Sequence, residues 1–127
     1  MTVELWMLVA AVALTWVQIM LVSTAGLMLF PKWTLGNRDG GQEVPDWVSR
    51  AKRAAENMKE NLPLFAILVL VVHVSGESNS VSALGAQIFV GARIAHAIIY
   101  ALGVPAVRTL VWGVSIVGMV MIASALF

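Results

Sequence analysis

From Leu5 to Phe30 the chain carries no charge, and at about 1.5 Å per residue a helix over that run reaches roughly 39 Å, enough to cross a bilayer with some tilt. Backbone N–H and C=O groups find no water in lipid, so such a run spans as a helix, which satisfies them internally. A secretion signal does not fit: Glu4 is the only charge ahead of the run, where a signal carries basic residues, and the run outlasts a signal's apolar core. The rest of the chain agrees. Of its 127 residues 60% are hydrophobic and only 12% charged, whereas a soluble domain is about one quarter charged. The sequence therefore predicts an all-α integral membrane protein of one domain. Cysteine is absent, which removes disulfides, thiolate metal sites and a cysteine nucleophile. The formal net charge of +1 says little about partners; no nucleic-acid partner is expected, while membrane lipids are.

Three further apolar segments follow, Trp47 to Ser75, Val81 to Leu102 and Pro105 to Phe127, giving a four-helix bundle. Pro31 ends the first helix, and Pro105 fits the first turn of the fourth, where its missing N–H costs nothing. The stretch from Pro31 to Asp46 is rich in Gly, Pro, Asn and Asp and reads as a polar loop, with Asp46 the expected N-cap of the second helix. Gly76 to Ser80 and Gly103-Val104 are turns short enough to make consecutive helices antiparallel neighbours. The second segment is the awkward one. Its uncharged part, Asn61 to Gly76, spans roughly 24 Å against a core of about 30 Å, and Pro63 removes one backbone hydrogen bond within it. Burial against other helices, in the chain or in an oligomer, is the expected remedy.

Lysine and arginine set the orientation. Lys32, Arg38, Arg50, Lys52, Arg53 and Lys59 flank the first connection and Arg108 follows the third, whereas the opposite side carries only Glu4 and Glu77. Both termini are expected outside the cytoplasm, with the long loop inside.

Against this background two polar triplets stand out: Arg53, Asn57 and Glu60 in the second helix, and Arg93, His96 and Tyr100 in the third. Their spacings place each triplet on one helical face. Ionisable groups at membrane depth are costly and normally face a bundle interior or a wet cavity. Glu60 lies roughly 22 Å, and Arg93 roughly 18 Å, along its helix from the outer turn, so the stripes face each other at matching heights. Arg108 and Thr109 close the group from the fourth helix. Guanidinium forks suit bidentate carboxylates, and a positive cluster favours a bound thiol in its thiolate form. The group suits a small zwitterion with several carboxylates.

The runs RAKRAAENMKENLPLF (Arg50 to Phe65), GARIAHAIIY (Gly91 to Tyr100) and PAVRT (Pro105 to Thr109) resemble the MAPEG superfamily. These are membrane-associated proteins of eicosanoid and glutathione metabolism, including microsomal glutathione transferases and prostaglandin E synthase. LGNRD in the first loop looks most like a bacterial branch. The resemblance implies a homotrimer of four-helix subunits, here in a bacterial inner membrane, with glutathione held between neighbouring subunits near the cytoplasmic face. Carried over residue by residue, it implies that Arg53, Asn57, Glu60, Arg93, His96, Tyr100 and Arg108 bind glutathione. It also implies that Arg108 and Thr109 form the catalytic pair that stabilises the thiolate. Glu56 and Ala55 stand where the prostaglandin synthase has arginine and histidine.

Other readings of the same residues stay open. Arg53 and Arg108 also read as positive-inside anchors, Asn57 and Glu60 as an interhelical hydrogen-bond network, and Arg93 as half of a buried Arg–Glu pair. Tyr100 and the tryptophans also read as interfacial aromatics. No metal site is expected, because His73 and His96 lie on different helices in opposite halves. The first functional expectation is a glutathione-dependent transferase or peroxidase acting on lipophilic electrophiles that arrive through the bilayer. The alternative is a non-catalytic scaffold or accessory subunit of a larger membrane complex. A small transporter or proton relay through Glu60 and His96 is a third reading, which no discontinuous helix pair supports.

Overall fold

The computed structural model describes residues 1–127. It is all-helical: α1 (Val3–Leu29), α2 (Pro31–Leu35), α3 (Asp46–Ser75), α4 (Ser80–Leu102) and α5 (Pro105–Ser124). All but α2 are long and apolar enough to cross a membrane. Helices α1, α3 and α4 pack mutually, α5 lies along α4 and touches α3 lightly, and α1 and α5 do not meet. Apolar side chains such as Val12, Trp16 and Leu21 of α1 and Val117 and Val120 of α5 are exposed around the outside, as expected where the solvent is lipid.

The helix ends correct three expectations. Pro31 does not merely stop α1. It opens the one-and-a-half-turn α2 as its first residue, where its fixed φ suits a helix start. Asp46 is not the N-cap of α3: Pro45 is, at φ −56 and ψ 150 with no side-chain cap, and Asp46 is the first helical residue. A carboxylate in a first turn still complements the helix dipole. Helix α5 stops at Ser124, short of Phe127. The turns form as expected, with Gly76 (φ 72) and Gly103 (φ 76) as left-handed C-caps, a conformation glycine adopts without a Cβ penalty. Asn79 then starts α4 with a capping box, accepting from the Val81 and Ser82 N–H groups while Ser82 Oγ accepts from the Asn79 N–H. Helix α3 continues through exposed Pro63.

The core sits among α1, α3, α4 and α5 and is centred on Phe65 and Phe89, whose rings stack at 4.1 Å and 9°. Met58, Val69, Val72, Ala86, Met119 and Ile122 surround them. At the end bearing the termini, Glu4 is 2% exposed and accepts hydrogen bonds from the Ser78 and Ser82 hydroxyls. Charge-assisted bonds of this kind are the strong ones. They tie the start of α1 to the α3–α4 turn.

Helices α4 and α5 meet backbone to backbone at Gly85 and Gly118. A Cβ on either residue would lie 2.6 Å from the other's carbonyl oxygen. Small residues are how helices approach closely in a membrane, where hydrophobic burial does not drive them together. Gly118→Val is therefore expected to cost about 1–3 kcal/mol by overpacking. Thermal unfolding in detergent reads the change, and an unchanged midpoint would show that the two backbones are not held in contact.

Candidate functional site

The two triplets occupy different faces relative to the core. On α4 the buried positions Ser82, Ala86, Phe89, Arg93 and His96 form one face, so the polar triplet prolongs the core's own stripe. On α3 the core face runs through Ala51, Ala54, Met58, Asn61, Phe65 and Val69. With about 100° between successive residues, Arg53, Asn57 and Glu60 are turned away from the centre of that face by roughly 90–150°. Asn57, the nearest, is half-buried; Arg53 and Glu60 are exposed.

Asn57 is thus the one α3 triplet residue that reaches α4. Arg93 Nη2 donates to Asn57 Oδ1 at 2.7 Å. Asn61 Nδ2 donates to the Asn57 carbonyl at 2.8 Å and approaches Asn57 Oδ1 at 3.4 Å, which fixes the acceptor against Arg93. Arg93 is 1% exposed, and its Nε and Nη1 donors are buried without partners. Its neighbour within the chain is an amide rather than Glu60. Buried polar groups in proteins are nearly always satisfied, so the site has donor capacity to spare.

One turn further along α4, His96 is 2% exposed with Nδ1 buried and unpartnered. Its ring meets Tyr100 edge to face at 5.4 Å. The Arg108 guanidinium lies 4.5 Å from the centre of the Tyr100 ring, a cation–π contact that links the start of α5 to the end of α4. Thr109 Oγ1 donates to the Pro105 carbonyl at 3.2 Å, so its proton is spent on its own helix and the oxygen is left as an acceptor. Arg53 Nη1 donates to Ser49 Oγ at 3.0 Å.

Asn57, His96, Tyr100, Arg108, Thr109 and Trp112 line a cavity of about 230 Å³. No carboxylate lies in its wall. Arg93 sits behind Asn57, while Arg53 and Glu60 stand outside on exposed α3 surface. Sequence reasoning passed over two contributors. Trp112 read as a packing or membrane-interface residue, although its place three residues after Thr109 puts it on the same side of α5. Asn61 went unremarked, although an amide one turn after Asn57 is the spacing that lets the two interact. Gln18 of α1, 8% exposed with Oε1 buried and unpartnered, is a further buried polar group, but it does not line this cavity.

The fold and site together define a class: an integral, multi-pass α-helical membrane protein whose polar cavity is built on its spanning helices. The MAPEG family model matches residues 3–127, essentially the whole chain. The chain belongs to the MAPEG family, the membrane proteins of eicosanoid and glutathione metabolism. No curated protein and no solved structure matches it.

Proposed function

We propose that the chain is a glutathione-dependent transferase or peroxidase acting on lipophilic electrophiles. The observation that carries this reading is the cavity itself: a guanidinium, an imidazole, a phenol, an amide and a hydroxyl converge on it with no carboxylate among them. Such a wall fits an acidic, thiol-bearing tripeptide, and the unpartnered His96 Nδ1 is a polar atom that a ligand would satisfy. Arg108 carries the charge that favours a thiolate, and Tyr100 braces Arg108 from below. Asn57 and His96 orient the peptide, Arg93 holds Asn57 in place, and Thr109 offers its oxygen as an acceptor, its O–H becoming a donor to the ligand only on rotating away from Pro105. Glutathione, when bound, supplies the nucleophilic thiol.

At about 230 Å³ the cavity is smaller than the roughly 300–1,000 Å³ usual for small-molecule sites. This size supports a homotrimer in which a second copy completes the wall, and it gives exposed Arg53 and Glu60 a place at the subunit boundary, where they hold the peptide ends. An apolar groove of about 360 Å³ lies between α3 and α5, lined by Leu64, Ile67, Leu68, Ile116 and Met119. It supports lateral delivery of the lipophilic substrate from the bilayer. The basic residues clustered around the first connection support a cytoplasmic placement of the polar site, with both termini on the other side of a bacterial inner membrane.

The Asn57–Arg93 bond also favours a second reading, a non-catalytic scaffold or accessory subunit of a larger membrane complex, because an interhelical lock needs no ligand. Calorimetry with glutathione on the purified protein, followed by turnover with an electrophilic aromatic substrate, separates the two. Millimolar or tighter binding accompanied by turnover is expected. No heat and no turnover from an intact oligomer would leave the scaffold.

A further inference from the structure

A second cavity, of about 230 Å³, is enclosed by the last turns of α1, α2, the following loop and the start of α3. It shares no residue with the polar site and is built within one chain. Its lining combines apolar Phe30 and Val48 with Trp33, Thr34, Arg38 and Lys52.

Arg38 is the one non-glycine residue at positive φ, 61°, a conformation that L side chains seldom adopt. It folds the side chain back over α2: Nε donates to the Thr34 carbonyl at 3.1 Å, and the guanidinium lies 5.7 Å from the centre of the Trp33 ring. One N–H is used and the rest of the fork stays available. Lys52, exposed on α3, lines the same cavity. Trp33 Nε1–H, which can only donate, is buried without a partner. No carboxylate lines this cavity either. Two cations and an orphaned donor beside apolar side chains form a receptor for an anionic amphiphile.

The position of the cavity narrows the ligand. It lies where α1 leaves the membrane, with Trp33 in its wall, Trp47 exposed at the start of α3, and Leu27, Met28 and Leu29 exposed on the adjoining turn of α1. Tryptophans mark the headgroup level of a bilayer, and an arginine fork with a lysine suits phosphate oxygens. We propose that this cavity holds the phosphate of an anionic membrane phospholipid, with Arg38 and Lys52 on the phosphate and the lipid chains lying along α1.

The test is native mass spectrometry of the protein released from mixed micelles of phosphatidylglycerol and phosphatidylcholine. The wild type is expected to retain phosphatidylglycerol with a preference of about 10-fold or more, the scale set by two basic side chains at a membrane surface. Arg38→Gln with Lys52→Gln should abolish the preference, and Lys59→Gln, an exposed basic residue outside the cavity, should keep it. Both altered side chains are exposed, and circular dichroism confirms that the variant folds. Equal retention by the wild type and the double variant would overturn the proposal, as would equal loss in Lys59→Gln. Displacement of the lipid by millimolar inorganic phosphate would assign the site to a free phosphate ester and overturn the lipid as its occupant. No glutathione is present, so the outcome is independent of the polar site.

Discussion

Asn57→Leu is expected to lower the unfolding free energy by about 1.5–3 kcal/mol, the scale of a hydrogen bond to a charged group whose loss leaves a buried donor unpaired. Arg93 is 1% exposed and makes its one side-chain hydrogen bond to Asn57 Oδ1. Leucine is close to asparagine in size, so packing survives and the loss is electrostatic. The third guanidinium nitrogen then joins Nε and Nη1, which already lack partners. Removing the charge instead should be much cheaper. In Arg93→Met, Asn57 Oδ1 keeps the approach of Asn61 Nδ2 at 3.4 Å, and an unbranched apolar chain fills the space of the arginine stem. Met at position 93 in the Asn57→Leu background should recover most of the loss, with a coupling energy of about 1–2 kcal/mol in the double-mutant cycle. Reversible unfolding in mixed detergent measures all four corners. Additive losses, or Arg93→Met costing as much as Asn57→Leu, would mean that the contact does not hold α3 to α4.

That contact was half legible in the sequence. Spacing and helix rise alone brought the triplets to matching heights, and Asn57 does meet Arg93. The triplets looked equivalent, yet only the α4 triplet lies on a core face. The distinguishing signal is a second stripe in α3, Ala51, Ala54, Met58, Asn61, Phe65 and Val69, which runs beside the polar one and is the face that packs. In a membrane both the lipid-facing and the core-facing sides are apolar, so hydrophobic periodicity does not separate them. Small size helps only in part: it points to the Gly85–Gly118 approach, but Gly91 of α4 and Gly113 of α5 meet nothing within 4 Å. The spans themselves were legible because uncharged length is a strong constraint. Helix α2 was hidden because five residues after a proline carry no periodicity. Glu4 read as a bare terminal charge because its partners, Ser78 and Ser82, are far away in sequence and reach it only after α3 has returned across the membrane.

Arg108→Ala is expected to cut glutathione-dependent turnover by about 10²-fold near pH 6.5 and by much less near pH 9, and this pH dependence separates chemistry from structure. Arg108 is the only full positive charge lining the polar cavity, and no carboxylate there offsets it. A unit charge about 4 Å from a thiolate at an effective dielectric near 20 is worth about 4 kcal/mol. That is enough to hold a bound thiol well below its ordinary value of about 8.5 and keep it ionised at neutral pH. The sign follows directly. Without Arg108 the thiol titrates near its ordinary value, so at about pH 6.5 only about one part in a hundred is ionised, and raising the pH restores the nucleophile. Arg108→Lys keeps the charge, loses the planar contact over the Tyr100 ring, and should retain much of the rate at low pH. Tyr100→Phe keeps the ring and should change the profile little. The measurement is the pH dependence of turnover in detergent-solubilised protein, with the thiolate absorbance band followed in parallel. A loss of equal size at every pH, with a lowered unfolding temperature, would make Arg108 a brace between α4 and α5, and the cavity would then be the lock of a scaffold.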